Sequence, residues 1–168
     1  MGTSDVWYSV ITSRDSRQQE PRLRVSDHPF FRGLNPALIE AVGQGSVDTT
    51  YETDEMLVRE GEVADRFHLI FHGKVAVEVG GSQGTRQTVQ TIGPGEVLGW
   101  SWISPPYLWQ FDGRAVKETR VVSLDASVLR RALEARPVEG YRFLQRLLPV
   151  IGQRLENTRV QLLELRDI

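Results

Sequence analysis

Residues 61–75 read GEVADRFHLIFHGKV, and this stretch decides which class of fold the chain can adopt. Gly61 and Gly73 stand at either end of an apolar and aromatic run, and glycine tolerates the positive φ that tight turns between strands need. The residues that follow, 75–79, read VAVEV, so every second residue is a valine. That period of two is typical of a half-buried strand. The stretch therefore predicts two consecutive strands joined by a tight turn.

The same pattern extends outward over residues 47–124, where short apolar segments are separated by Gly, Pro and Asp. Several short strands at this spacing favour a sandwich or barrel over a parallel sheet with intervening helices. The predicted strands cover residues 47–51, 56–59, 67–71, 74–79, 87–92, 97–102, 113–116 and 119–124.

Helices are predicted on both sides of the strands. An Asn at an N-cap position followed by Pro, residues 35–36, begins a short helix over about 36–43. After the last strand, Asp125 or Ser127 can cap a second helix, which Pro137 ends. The fold class expected from these elements is mainly β with flanking helices.

The last predicted helix covers residues 137–168 and has an apolar stripe at alternating spacings of four and three residues. Such spacing suits a dimer seam better than a lone surface helix, so we expect a homodimer through this helix. Pro149 lies inside it and predicts a kink. The predicted seam positions are Leu144, Leu148, Ile151, Leu155 and Leu162, with Leu165 continuing the stripe.

Three regions follow from this pattern. Residues 1–25 form a predicted arm of little order, because residues 12–24 are polar and have little apolar surface to bury. Residues 26–136 form the predicted β domain, and residues 137–168 form the helix with the dimer seam. Whether these 168 residues are a full protein or a fragment is left open.

Composition excludes several classes of function. The 168 residues include no cysteine, which excludes a disulfide framework, a thiolate metal site and a cysteine nucleophile. No run of about 18 or more apolar residues is present, so no membrane span is expected. The first residues lack the pattern of a secretory signal, and we expect a cytoplasmic protein. The formal net charge of −2 argues against a chain whose main task is binding phosphate backbones.

Four segments resemble the cyclic-nucleotide-binding domain of catabolite-activator-type regulators. They are GEVADRFHLI with HGKV over 61–75, GPGEVLG over 93–99, RAV over 114–116 and VVSLD over 121–125. The likeness covers about residues 28–165. It implies a double-stranded β-helix (jelly-roll) barrel with a short N-terminal helix and a long C-terminal helix. No helix-turn-helix follows the long helix, so direct DNA binding by this chain is not expected.

The resemblance also implies where a ligand would bind. In the family, a glycine-rich backbone, a Glu and an Arg hold the ribose and the cyclic phosphate. Here the Glu position falls on Trp100, the Arg position on Trp109 and the next small hydroxyl position on Gln110. A charge-assisted hydrogen bond contributes about 1.5–3 kcal/mol, so binding of ordinary cyclic AMP or GMP is disfavoured. The candidate pocket residues are Leu98, Gly99, Trp100, Ser101, Trp109, Gln110 and Arg114.

Several interpretations of this aromatic segment stay open. The tryptophans can fill the former pocket as core, or they can line an apolar pocket in which Ser101 and Gln110 are polar handles. They can also form a surface for a protein partner. A true cyclic nucleotide sensor would need a non-standard pocket, in which Arg114 reaches inward or a Trp stacks on the purine.

Functions of other classes are also weighed. The chain can be a stand-alone regulatory module or the ligand-binding half of a transcription regulator. A cupin-like metal enzyme would use His68 and His72 with Glu62 or Glu78, but the expected His-x-His pair is absent. We therefore expect a non-enzymatic regulatory module with no catalytic residues and no metal.

Overall fold

The computed structural model describes residues 21–80 and 84–164. Two single-turn 3-10 helices, Val25–Asp27 and Pro29–Phe31, precede the main elements. The strands and α-helices in chain order are α1 (Pro36–Gly43), β1 (Val47–Tyr51), β2 (Met56–Val58), β3 (Arg66–His72), β4 (Val75–Gly80), β5 (Arg86–Ile92), β6 (Val97–Leu98), β7 (Asp112–Ala115), β8 (Thr119–Asp125), α2 (Ala126–Ala135) and α3 (Pro137–Glu164).

The strands form two four-stranded antiparallel sheets with the orders β1-β8-β3-β6 and β2-β7-β4-β5. The two sheets are in contact at Gly113 of β7 and Leu98 of β6. A Cβ added to Gly113 would lie 3.1 Å from the side chain of Leu98. This architecture confirms the predicted fold class, mainly β with flanking helices.

The helix ends follow the sequence signals. The side chain of Asn35 accepts a hydrogen bond from the backbone N–H of Ala37 at 2.8 Å, and Pro36 is the first helical residue. At α2 the capping residue is Asp125, which accepts from the N–H of Val128 at 3.0 Å. Ser127 donates its hydroxyl to Asp125 instead of capping the helix itself.

An aromatic cluster joins the first half of α3 to the sheets. Phe143 of α3 is fully buried and its ring centroid lies 5.2 Å from that of Phe30, 5.9 Å from that of Trp102 and 6.1 Å from that of Phe67. Burying a large apolar side chain contributes about 1.5–3 kcal/mol, so this cluster holds the long helix against the barrel. No helix among the described residues has both the length and the apolar character needed to cross a bilayer.

One predicted strand is wrong beyond its second residue. The strand expected over residues 97–102 ends at Leu98, because Gly99 has a φ of +100° and turns the chain out of the extended conformation. The indole N–H of Trp102 then donates to the carbonyl of Gly99 at 3.2 Å and closes the turn. Trp100 and Trp102 therefore do not lie on a strand.

The N-terminal region joins the domain before residue 25. The backbone N–H of Leu23 donates to the Asp48 carboxylate at 3.1 Å, and Val25 is buried. The rest of the arm predicted over 1–25, and Leu165 of the predicted seam, lie outside the described residues.

Candidate functional site

The indole ring of Trp109 lies directly on the backbone of Gly99. A Cβ at Gly99 would overlap two carbons of that ring, and the positive φ of Gly99 also favours glycine. Trp109 is 3 % exposed. The backbone N–H of Trp109 donates to the carbonyl of Glu62 at 2.8 Å, and the backbone carbonyl of Trp109 accepts from the N–H of Gly61 at 2.9 Å. The two glycine turns are thereby joined through one buried aromatic residue.

A second layer of side chains holds that ring in place. The imidazole of His68 stacks on Trp109 with a centroid distance of 6.2 Å and an interplanar angle of 26°. Phe111 packs on the same indole at 5.8 Å. The Nδ1 atom of His68 lies 2.7 Å from Oγ of Ser123, so the imidazole has a hydrogen-bond partner in the core. Trp109 therefore has ring contacts with two buried side chains as well as with Gly99.

Burial lowers the pKa of His68 to about 4, and the positive charge of Arg66 acts in the same direction. Because desolvation disfavours the imidazolium, His68 is neutral at neutral pH. The pKa of His28 is lowered as well, by burial that outweighs its hydrogen bonds to the backbone.

The lowered pKa values of His68 and His28 predict that the free energy of unfolding falls as the pH is lowered from about 6.5 toward about 4. In that window the unfolded chain binds protons that the folded chain does not. For His68 alone we expect the free energy of unfolding to fall by about 2 kcal/mol between about pH 7 and pH 5. The measurement is urea unfolding at several pH values, and His68→Phe should flatten the slope.

The control for this pH series is His72→Gln, because His72 is exposed at the end of β3. It should leave the slope unchanged. A His68→Phe protein with the same pH slope as the unmodified protein would contradict this interpretation.

Trp100, which follows Gly99 in the chain, is in contact with the long helix α3. The guanidinium carbon of Arg154 lies 4.7 Å from the centroid of a Trp100 ring, a cation–π arrangement. The Nη2 atom of Arg154 donates to the carbonyl of Val97 at 2.6 Å. Burial lowers the pKa of Arg154 to about 10, although the carboxylate of Glu96 acts in the opposite direction. The ring of Phe111 also packs on Trp100, with a centroid distance of 5.8 Å.

The remaining candidate pocket residues are divided between the core and the surface. Leu98 is fully buried, and Ser101 is buried with an Oγ that has no hydrogen-bond partner among the described residues. Gln110 is exposed and donates to the carbonyl of Leu108 at 3.0 Å. The structure thus brings Leu98, Gly99 and Trp109 to the facing sheets but leaves Gln110 at the surface.

Arg114 does not turn inward. It donates to Glu78 at 2.5 Å and to Asp54 at 2.8 Å. Its neighbour Gly113 faces the core, and successive residues of a strand point to opposite faces. Both carboxylates raise the pKa of Arg114, Glu78 through the hydrogen bond that is the largest cause. The inward-reaching Arg114 of the non-standard pocket is therefore not what the structure has.

Sequence reasoning missed Arg154, Phe111 and His68 as parts of this site. A signal for Arg154 was present, since it stands seven residues after Leu147 and so falls on the same face of the helix. Arg154 is 7 % exposed and Leu147 is 1 % exposed. A charged residue in a buried row of a helix is the pattern that would have identified it.

The predicted seam lies beside this buried row on α3, because Leu148 and Leu155 directly follow Leu147 and Arg154 in the chain and are therefore about 100° further around the helix. Ile151 is partly buried against the core. The four leucines are exposed by 42 to 67 % of their surface: Leu144, Leu148, Leu155 and Leu162. The helix therefore has one apolar row on the barrel and a second, uncovered one.

The histidines of the metal-enzyme alternative do not form a cluster with carboxylates. Within residues 21–80 and 84–164, no group of three or more His, Asp or Glu side chains is placed to hold a metal ion. His68 bonds to Ser123, Glu78 is paired with Arg114, and His72 is exposed.

Two facing antiparallel sheets, a glycine turn between them and a long helix on one side define a jelly-roll sensory domain, as predicted. The sequence profile of the cyclic nucleotide-binding domain matches residues 48–136, more than half of the chain. The chain therefore belongs to the cyclic nucleotide-binding domain family, which confirms the resemblance seen in its glycine turns.

The chain is also similar to a curated transcription regulator. The chain is 27 % identical over 136 residues to the CRP-like cAMP-activated global transcriptional regulator of Mycobacterium tuberculosis. The match covers 81 % of this chain but 59 % of that protein. The chain thus spans about three-fifths of the length of this relative.

Solved structures of low sequence identity share the fold. A cyclic nucleotide-binding domain from Methylobacillus flagellatus aligns with a TM-score of 0.68 at 22 % identity, covering 80 % of this chain and 75 % of that one. The c-di-GMP responsive global regulator CLP of Xanthomonas campestris also aligns with a TM-score of 0.68, at 16 % identity, covering 79 % and 65 %. The catabolite activator protein of Thermus thermophilus aligns at 0.63 and 21 % identity, covering 82 % and 63 %.

Proposed function

We propose that this domain is a regulatory module that does not bind ordinary cyclic AMP or cyclic GMP, because aromatic side chains occupy its pocket. The observation that carries the proposal is the ring of Trp109 on the backbone of Gly99. We infer, from the positions of Gly99 and Arg114, that Trp109 takes the place of the family's phosphate-pairing arginine. A tryptophan at this position supplies no positive charge for the phosphate. Its ring, in contact with Gly99, also covers the backbone that would approach the phosphate.

The energetic argument follows from the charge of the ligand. A cyclic phosphate carries a negative charge, and burying it without a cation costs several kcal/mol. Trp109 supplies no charge, and Arg114 is held by Glu78 and Asp54. Arg154 reaches the segment from α3, but its guanidinium lies over Trp100.

Calorimetric titration of cyclic AMP and cyclic GMP into the purified protein tests this proposal. We expect no saturable heat up to about 1 mM nucleotide, where even an interaction of about −4 kcal/mol would be detected. Binding in the micromolar range would overturn the proposal. A thermal-shift screen with cyclic mono- and dinucleotides and small aromatic molecules extends the test, because any ligand of the folded state raises the melting temperature.

The signalling output that we propose is a homodimer formed through α3, in a cytoplasmic, non-enzymatic protein. The uncovered row of leucines on that helix supports the dimer, and ligand or partner contact near Trp100 would act on it through Arg154. A second candidate function is the sensory part of a transcription regulator. It is favoured by the match to three-fifths of the M. tuberculosis regulator.

A further inference from the structure

Arg154 is a buried cation with an incomplete set of partners. Its side chain is one of the few charged groups in the core of the described residues, at 7 % exposure. Nη2 donates to the carbonyl of Val97, but Nε and Nη1 are buried and have no hydrogen-bond partner in the described part of the chain. A guanidinium has five N–H groups, so most of its donors are unused.

Such an arrangement is costly without an anion. Removing a cation from water is costly, and the cost is offset only by good pairing. The face of Trp100 and one hydrogen bond to a carbonyl are fewer interactions than a guanidinium can make. The carboxylate of Glu96 interacts with the charge, but its Oε2 accepts from the backbone N–H of Gly93 at 2.7 Å.

A cavity opens beside this cation. It has a volume of about 300 Å³ and lies between the β5–β6 region and α3. Arg154 lines it together with the amide side chains of Gln90 and Gln153, and Phe30 and Val150 contribute apolar surface. Amide N–H groups and an arginine are donors that suit an oxyanion, and the volume fits a small molecule rather than a large one. Neither Trp109 nor Gly99 lines this cavity, so it is separate from the candidate nucleotide pocket at those two residues.

We propose that this cavity binds a small ligand through a phosphate or carboxylate group, whose negative charge compensates the buried charge of Arg154. Gln90 of β5 and Gln153 of α3 line the same cavity, and Gln153 has a second amide N–H besides the one that it donates to Asn157. Because the guanidinium of Arg154 also stacks on Trp100, the bound anion stabilises the contact between Trp100 and α3. The carboxylate of Glu96, which also lines the cavity, opposes the anion and limits its affinity.

The test is a titration of inorganic phosphate and, separately, acetate into the full chain, followed by NMR at constant ionic strength. The readouts are the side-chain Nε–H resonance of Arg154 and the side-chain amides of Gln90 and Gln153. We expect saturable shifts at these groups in the unmodified protein. Arg154→Met should weaken binding by about tenfold or more, as expected for loss of a charge-assisted hydrogen bond. Glu96→Gln should tighten binding, because it removes the opposing charge.

Arg146→Met is the matched control, since Arg146 lies on the same helix and also donates to a backbone carbonyl, that of Phe30, at 2.7 Å. It should bind phosphate within about twofold of the unmodified protein. If Arg154→Met does not fold, Glu96→Gln and Arg154→Lys take its place. Arg154→Lys should bind phosphate more weakly than the unmodified protein, because Lys keeps the charge but lacks the planar set of donors. Absence of saturable shifts, equal losses in both methionine variants, or a Glu96→Gln protein that binds no more tightly would overturn the proposal. Preference for phosphate or for acetate identifies the anionic group.

Discussion

Replacing Trp109 with Ala should lower the free energy of unfolding by about 3–5 kcal/mol, the range seen when a large buried aromatic residue is truncated. The side chain is 3 % exposed and contacts the backbone of Gly99, the imidazole of His68 and the ring of Phe111. Its loss leaves a cavity between facing sheets, and sheets held by backbone ladders collapse little. Urea unfolding measures the change.

The matched control is Tyr141→Ala, because Tyr141 is an aromatic residue of α3 that is 64 % exposed. It should change stability by about 0.5 kcal/mol or less. Indole added to the Trp109→Ala protein should raise its melting temperature, because an apolar cavity of this kind takes up a matching aromatic molecule. A loss below about 1 kcal/mol would show that the ring is not part of the core, and the interpretation of a filled pocket would then fail.

Replacing Leu155 with Asp should convert the proposed homodimer to a monomer. Leu155 lies in the middle of the exposed row of α3 and is 53 % exposed in the single chain. In a helix-pair seam this position faces its copy, so the substitution would bring two carboxylates together in an apolar interface. Burying a charge without a partner costs several kcal/mol, which is more than a weak helix pair can offset. Sedimentation velocity at high micromolar concentration measures the mass.

Val160→Asp is the control for the seam. Val160 is an apolar residue of the same helix, 47 % exposed, but it stands outside the series of four and three residues. The Val160→Asp protein should remain a dimer. A monomeric unmodified protein, or a Leu155→Asp protein of unchanged mass, would contradict the proposed seam.

Much of the fold was predictable from local sequence. Glycine at turns, valines at alternate positions and Asn or Asp before a helix act through contacts between near neighbours, so each predicts its own element. The strand boundaries agree within one or two residues except after Leu98. The family could also be identified from the two glycine turns, because their spacing is set by the strands between them.

The site was less predictable, because it depends on contacts between distant residues. Leu98 and Gly99 read as one continuing strand, and only the close approach of the Trp109 ring and the positive φ of Gly99 show why the chain turns there. Local sequence carries no information on which side chain will approach a glycine from ten residues further along the chain.

The sequence by itself determined the β class, the flanking helices, the family and the apolar row of the long helix that the predicted seam follows. The tertiary structure decided that Arg114 is held by the carboxylates of Glu78 and Asp54 and that Arg154 is buried against Trp100. The physical reason is that hydrophobic periodicity specifies which face of an element is buried. The partner of a charged side chain is set by the packing of elements far apart in the chain.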